Sequence, residues 1–534
     1  MAKLAKKQKH SRITGADTIA TFMEYFVTML CAAIIILVPL YMKKAYYEIG
    51  QCKYDMYFGI TVTGLPVLLL FTIIYFVLRR KTWSWKTMVK SLSCIDIAVI
   101  SYLLCAIISF ILCQYKEEAW SGYAGWNMGL YAQITFVFLY FYVSRFARDY
   151  KAILTILLCV SVIVVVLAIL NRFLIDPLGV YEGIPEYYFV QFLSTLGQTS
   201  WYSSFLCIIL PIGIYAFWKS EKRNSNIITG CYILLGFMSL VTQNSDSAYF
   251  AFAGFMLVFA WFSFGEWNKL KKLLTIVFLF GSSTKMIKFL LLFWDGSVIA
   301  QLDDFSRFLI NSPFSWILMA LSALLIVGII LAEKKANYPL KIMRTIRNIL
   351  FVCLGLVFLT AVVLLVISSK VGEDVPWKGI PYLVWHNYWG NGRGYTWKLT
   401  GKMFSEMSLQ NKIFGVGPES YPYYMYENYK DIVDAMWGGS VLTNAHNEWF
   451  NALINYGIVG GVAYLAIFII GVVSCAKRVK QCPEMMMILS CIAAYVCHNF
   501  FCYQQVLCTP YIMIILGIGQ YLMRKEETVL AKAR

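Results

Sequence analysis

The sequence predicts an all-α polytopic membrane protein of about 14 transmembrane helices with one large extracytoplasmic loop, and three observations carry that prediction. The first is composition: 60% of the 534 residues are hydrophobic and 14% are charged, at a mean hydropathy of +0.65. A soluble domain carries roughly a quarter charged residues. That deficit excludes a water-soluble enzyme, a disordered chain and a nucleic-acid-binding module. The second is run length: most apolar runs are about 18–24 residues, what an α-helix needs to cross ~30 Å of hydrocarbon. The third is how charge sorts by side. With the N-terminus in the cytoplasm, the inner segments hold 31 Lys+Arg and 8 Asp+Glu, and the rest of the chain holds 15 and 21. Inner segments such as Arg79-Arg80-Lys81, Lys269–Lys272 and Lys334–Arg347 carry the excess, so the net charge of +17 orients the chain in a bilayer and implies no nucleic-acid partner.

The expected spans are 18–41, 57–78, 93–114, 127–144, 152–171, 203–218, 226–243, 247–265, 273–294, 315–332, 348–368, 448–475, 485–502 and 505–523. Both termini then lie in the cytoplasm. The start, MAKLAKKQKHSR, is basic without being a cleavable signal peptide, because the following apolar run is too long and lacks a small-residue cleavage site. The chain divides into residues 1–368 (helices one to eleven), the large outer loop 369–446, and 447–534 (helices twelve to fourteen and a cytoplasmic tail). Most of the 15 cysteines sit in apolar runs and read as small buried residues. Cys502 and Cys508 flank a short outer loop and could pair.

The outer loop of about 172–202 is long, and 369–446, at 78 residues, exceeds any ordinary helix connection and is expected to be functional. It holds 15 aromatics, among them Trp377, Trp385, Trp389, Trp397, Tyr421, Tyr423, Tyr424, Tyr426 and Trp437. These suit stacking on sugar rings or a belt at the membrane interface, and the two alternatives stay open. Trp397, Leu399, Met403, Phe404, Met407 and Leu409 mark 396–410 as a short amphipathic helix lying on the outer surface.

Candidate chemistry is sparse. Of four histidines, His10 lies in the basic tail, His386 in the large loop and His498 near the outer end of span thirteen. His446 closes the large loop in Thr443-Asn444-Ala445-His446-Asn447-Glu448. With Thr443 or Asn444 as helix cap, His446 falls in the first turn, where the helix dipole disfavours protonation and leaves a neutral imidazole able to act as a base. A structural histidine at the cap is the plainer alternative. Asn447, Asn451 and Asn455 form a polar stripe expected to face the protein interior, and Gly457 and Gly461 are spaced for close helix contact. Arg393, between Gly392 and Gly394, is a bidentate donor suited to phosphate. Lys285 and Lys288 share one face deep in the ninth run, where they either hold a diphosphate or snorkel to the surface. Arg172 and Arg307 are outer-side arginines with the same ambiguity, and Asp246 sits in the short turn Ser245-Asp246-Ser247. No HExxH, paired CxxC, clustered Asp signature or nucleotide-binding motif occurs, so neither a metal nor a cofactor is expected.

Residues 393–470 resemble the bacterial O-antigen ligase/O-antigen polymerase family of integral membrane glycosyltransferases. The resemblance rests on His446-Asn447 followed after nine residues by Gly457-Ile458, preceded in order by Arg393-x-x-x-Trp397 and Gly415-Val416-Gly417-Pro418. Weaker echoes occur at Thr195-Leu196-Gly197-Gln198 through Tyr202 and at His498-Asn499-Phe500. The resemblance implies transfer of an oligosaccharide from undecaprenyl diphosphate to an acceptor glycan at the outer face of the plasma membrane, in surface polysaccharide biosynthesis. It implies further polysaccharide-assembly proteins as partners beside the lipid bilayer. By that resemblance His446 is the base, Arg393 neutralises the diphosphate, no metal is needed, and the anomeric centre inverts. The family's ligases place a second arginine where this chain has Ser245-Asp246-Ser247; Lys285, Lys288, Arg172 and Arg307 are the available replacements. The alternative function is a flippase or transporter for lipid-linked oligosaccharide. Fourteen spans and midmembrane lysines suit it; the large His/Arg loop and the lack of internal repeats do not.

Overall fold

The computed structural model describes residues 14–80, 84–294, 302–335, 340–439 and 441–533. His10 and the rest of the basic start lie outside the described residues, as do Lys81 and residues 336–339 of the Lys334–Arg347 run. Every one of the fourteen expected spans falls on an α-helix. Among the described residues eleven helices are long and apolar enough to cross a membrane, which makes this an all-α polytopic membrane protein with eleven candidate spans. The remaining three expected spans fall on Leu130–Phe146 and Glu484–His498, of 17 and 15 residues, and on Thr509–Ala533, whose second half runs into Arg524-Lys525-Glu526-Glu527.

Local chemistry sets several helix starts. Thr14 with Asp17, and Ser93 with Asp96, form reciprocal capping boxes. Packing then sorts centre from rim. Thr199–Lys219 has 89% of its apolar window buried and is the central helix; the window of Lys341–Val371 has 0% buried, so this helix lies at the rim, touching the bundle through contacts such as Phe351 on Trp261. Asp246–Ser263 lies along Glu484–His498, Thr509–Ala533 along Leu130–Phe146, and Glu448–Arg478 along Cys94–Leu112. The buried Asp96 carboxylate joins three helices, accepting from Tyr140 (2.9 Å), facing Arg145 (3.6 Å) and pairing with Arg524. A carboxylate so buried needs such partners to offset its desolvation.

The segment between Leu340–Val371 and Glu448–Arg478 folds into a small helical lobe of Trp389–Glu406, Leu409–Phe414 and Tyr421–Trp437. The lobe has its own core, in which Leu399 and Met403 meet Met425, Val433, Leu442 and Ile454. The amphipathic helix expected at 396–410 therefore differs in two respects. After the left-handed kink at Gly390-Asn391-Gly392 it runs from Arg393 to Glu406, and its apolar face is covered by Tyr421–Trp437 instead of lying on a surface, while Leu409 starts the next helix and is 74% exposed. Cys502 and Cys508 are both buried free thiols.

Candidate functional site

Gly457 shapes the junction of lobe and bundle. Its backbone (φ 69°, ψ −172°) breaks the run Glu448–Arg478 into two helical pieces. The break frees two carbonyls: Ile454 O accepts from Val416 N and Asn455 O from Gly417 N, both at 3.1 Å. A Cβ on Gly457 would sit 2.4 Å from the Ile413 carbonyl, and one on Gly415 would sit 2.2 Å from Asn455 O. Two motifs 40 residues apart in sequence are thus one structural unit, the glycine loop clasping the broken helix. The expected close contact at Gly461 is absent, since the nearest atoms to a Cβ there lie at 3.6 Å or beyond and belong to Leu453 and Ala452, just before the break in the same run. Gly460 is the glycine that faces a neighbour, with Cys105 Cβ at 3.2 Å.

The asparagine stripe does face inward, and all three side chains are buried. Each fixes a piece of backbone. Asn447 Oδ1 accepts from Trp449 N (3.0 Å) and Phe450 N (3.2 Å) and caps the helix; Asn451 Oδ1 accepts from Ala445 N (2.8 Å); Asn455 Oδ1 accepts from Tyr421 N (3.0 Å). The cap is therefore Asn447, not Thr443 or Asn444, because its side chain alone reaches both orphan amides. His446 consequently stands just ahead of the cap and outside the first turn. Its backbone is left-handed (φ 48°), held by its N–H donating to Asn444 Oδ1 at 2.8 Å.

The half-buried His446 ring meets Tyr503 edge-on at 5.5 Å. Desolvation by its surroundings, then the Arg393 charge, lower its imidazole to about 3, so it is neutral at neutral pH. Arg393 sits across the same junction. Its guanidinium lies 5.8 Å from the Phe501 ring and donates to Phe501 O (3.0 Å) and Gly390 O (2.7 Å). Its buried Nε has no protein partner among the described residues. Burial lowers the guanidinium pKa, partly offset by Cys502, Asp246 and Tyr503. Trp397 Nε1 donates to Ala445 O at 3.1 Å, so the arginine helix is tied directly to the histidine loop. Trp385, Trp389 and Trp397 pack on one another beside it, and Trp389 and Trp397 also on Phe501, at centroid separations of 5.1–6.2 Å.

The other cations go elsewhere. Arg172 is fully buried and donates to the carbonyls of Thr242, Phe189, Val190 and Gln243. Lys285 Nζ donates to Ile310 O (3.0 Å) and Ser312 O (2.7 Å), and Lys288 Nζ to Asn311 O (3.5 Å), so the pair closes the C-terminal end of helix Asp304–Asn311. Arg307 pairs with Asp304 on the surface. Asp246, at the turn where the family's ligases carry a cation, is an acidic neighbour of Arg393. Both weaker sequence echoes join the site's surroundings: Tyr503 OH donates to Gln198 Oε1 (3.5 Å), and His498 Nε2 bonds Ser203 Oγ (2.8 Å) and Ser247 Oγ (3.2 Å). Among the described residues no three His, Cys, Asp or Glu side chains gather as a metal cluster.

Sequence inspection missed the acidic side of the junction. Glu448 is buried, and its Oε2 accepts from Gln504 N at 2.9 Å. Glu419 Oε2 accepts from Tyr123 N (3.1 Å) and Met128 N. The available signal was an acid directly after each motif, Gly417-Pro418-Glu419 and His446-Asn447-Glu448, in a chain otherwise poor in charge.

Fold and site together define a polytopic membrane protein with a polar junction between its helix bundle and an inserted lobe. The family model described as O-antigen ligase matches residues 296–465, about a third of the chain, and covers the lobe, Arg393, His446 and the Gly457 break. This match over part of the chain agrees with the motif resemblance. No curated protein matches the chain.

Proposed function

We propose that this protein is a metal-independent, inverting membrane glycosyltransferase. It transfers or polymerises oligosaccharide from an undecaprenyl-diphosphate-linked donor onto an acceptor glycan at the outer face of a bacterial plasma membrane. In this reading the 369–446 lobe is extracytoplasmic, both termini are cytoplasmic, and 393–470 carries the transfer chemistry. The observation that carries it is the meeting of Arg393, with an unpartnered buried Nε, and a neutral His446 at one junction.

The acceptor hydroxyl attacks the anomeric carbon from the face opposite the diphosphate. His446 takes the hydroxyl proton, the new C–O bond forms as the bond to the phosphate oxygen breaks, and the electron pair leaves on the diphosphate. Arg393 meets that growing negative charge in a site partly shielded from water, where a fixed cation acts more strongly. Burial holds the His446 imidazole down most and the Arg393 charge adds a smaller push; an incoming diphosphate would offset that smaller part and make the imidazole a somewhat better base. The tryptophan cluster offers apolar faces to sugar rings or to the isoprenoid.

The test is reconstitution in liposomes with lipid-linked oligosaccharide from the host, in EDTA, read by glycan gel. The left-handed backbone makes His446→Asn a cleaner variant than His446→Ala, since asparagine tolerates that conformation. Removing the base should lower transfer by about 10²–10⁴-fold. Normal transfer by a folded His446→Asn protein would remove the histidine from the chemistry. Movement of the lipid-linked substrate between leaflets without any product would favour transport.

A further inference from the structure

A small polar cavity, walled by Glu419, Glu448, Thr443, Asn444, Trp126 and Tyr503 among others, is linked to His446 through Tyr503 and Asn444, while His446 itself is not part of its wall. It has about 30 Å³ open to water, enough for one or two water molecules or one hydroxyl-bearing group of a sugar. Tyr503 is shared, since the same ring that lines the cavity meets His446 at 5.5 Å. No lysine or arginine lines it, so it is not built for a diphosphate. Its chemistry is that of carbohydrate recognition: carboxyl oxygens, amides and a threonine hydroxyl for hydrogen bonds, with the partly exposed Trp126 ring at its wall.

The two carboxyl groups are pre-positioned. Glu448 Oε2 is held by Gln504 N, and Glu419 Oε2 by Tyr123 N and Met128 N, while Glu419 Oε1 accepts no hydrogen bond among the described residues. We propose that this cavity is an acceptor subsite that takes a hydroxyl or hydroxymethyl group of a neutral sugar, with Glu419 and Thr443 as its hydrogen-bonding residues. Seated there, the sugar would stand next to His446 with its remaining hydroxyls available for deprotonation. Burial, with a smaller push from Glu448, raises the Glu419 carboxyl well above the usual carboxylate range, which equips it to donate as well as accept. The assignment rests on the glycosyl-transfer reading, but binding alone can test it.

The experiment uses full-length protein in lipid nanodiscs and saturation-transfer NMR with methyl hexosides and their 6-deoxy counterparts as probes. Farnesyl diphosphate serves as the diphosphate probe. A hexoside with all its hydroxyls should bind, and Glu419→Met and Thr443→Val, which remove the hydrogen-bonding groups, should each weaken it about tenfold or more, the loss expected for one hydrogen bond to a polar or charged partner. Farnesyl diphosphate binding should not change in either variant. The deoxy probes ask the same question of the unaltered protein, so a variant that fails to fold does not end the test. Equal binding of hexoside to wild type and variants, or no hexoside binding at all, would overturn the proposal and leave the cavity to water. Hexoside binding in a protein that transfers no glycan in liposomes would instead sink the transferase reading and keep the sugar site.

Discussion

Replacing Gly457 with alanine should be among the most damaging single-methyl changes in the chain. Its φ of 69° and ψ of −172° lie where essentially only glycine goes, at a cost of roughly 1–3 kcal/mol for another residue. The new Cβ would also stand 2.4 Å from the Ile413 carbonyl carbon and oxygen and 2.6 Å from Gly415 N. Those are backbone atoms and cannot rotate away, so the 413–417 loop must withdraw. Withdrawal stretches the Val416–Ile454 and Gly417–Asn455 hydrogen bonds, now 3.1 Å, each worth about 1 kcal/mol. The combined loss is about 3–5 kcal/mol, in the range reserved for named structural faults. Gly461→Ala is the matched control, since a Cβ there has ordinary clearance of 3.6 Å, and alanine improves helix propensity by up to about 1 kcal/mol. Thermal unfolding of the detergent-solubilised proteins, with limited proteolysis of the lobe, separates the two. Gly457→Ala should melt lower and expose 369–446 to protease, and Gly461→Ala should do neither. If both variants behave as wild type, the clasp between the glycine loop and the broken helix does not hold the lobe.

The remaining predictions concern charge. Changing Lys285 and Lys288 together to Gln should lower thermal stability by about 1–3 kcal/mol, because the Ile310 and Ser312 carbonyls lose a charged donor, while the donor concentration for half-maximal transfer stays put; a raised donor requirement would return the lysines to the diphosphate. His446 makes folding pH-dependent. With its folded pKa lowered to about 3 from 6.5, only the unfolded chain takes up its proton between those values, so its contribution to stability is present above about 6.5 and is lost as pH falls toward 3. Unfolding midpoints measured from pH 7 to 4 should therefore fall less steeply in His446→Asn than in wild type, and identical slopes would contradict the lowered pKa.

Hydropathy made the helices legible because it is local: each apolar run reports its own need for lipid or protein cover, and each expected span is a helix. Eleven of them are long and apolar enough to cross a membrane among the described residues; Leu130–Phe146 and Glu484–His498 are shorter and heavily buried by neighbours, and burial in protein selects for the same apolar residues as burial in lipid. The Arg393 and His446 pair was legible only through motif order. What was hidden are pairings between distant residues. Nothing in the ninth run says that Lys285 ends on Ile310 O, because any carbonyl satisfies an ammonium and carbonyls leave no mark in sequence. The spacing of Gly457 and Gly461 looked like a helix–helix signal, yet the physical content of Gly457 is a break that trades two intrahelical bonds for two bonds to Val416 and Gly417. The same trade explains why the acidic wall went unseen: Glu419 and Glu448 belong to motifs apart in sequence and share a cavity only once the clasp has closed. A site assembled this way should fail as a unit, so the perturbation that opens the Gly457 clasp should also displace Glu419 from Glu448, coupling lobe stability to acceptor binding through one backbone contact.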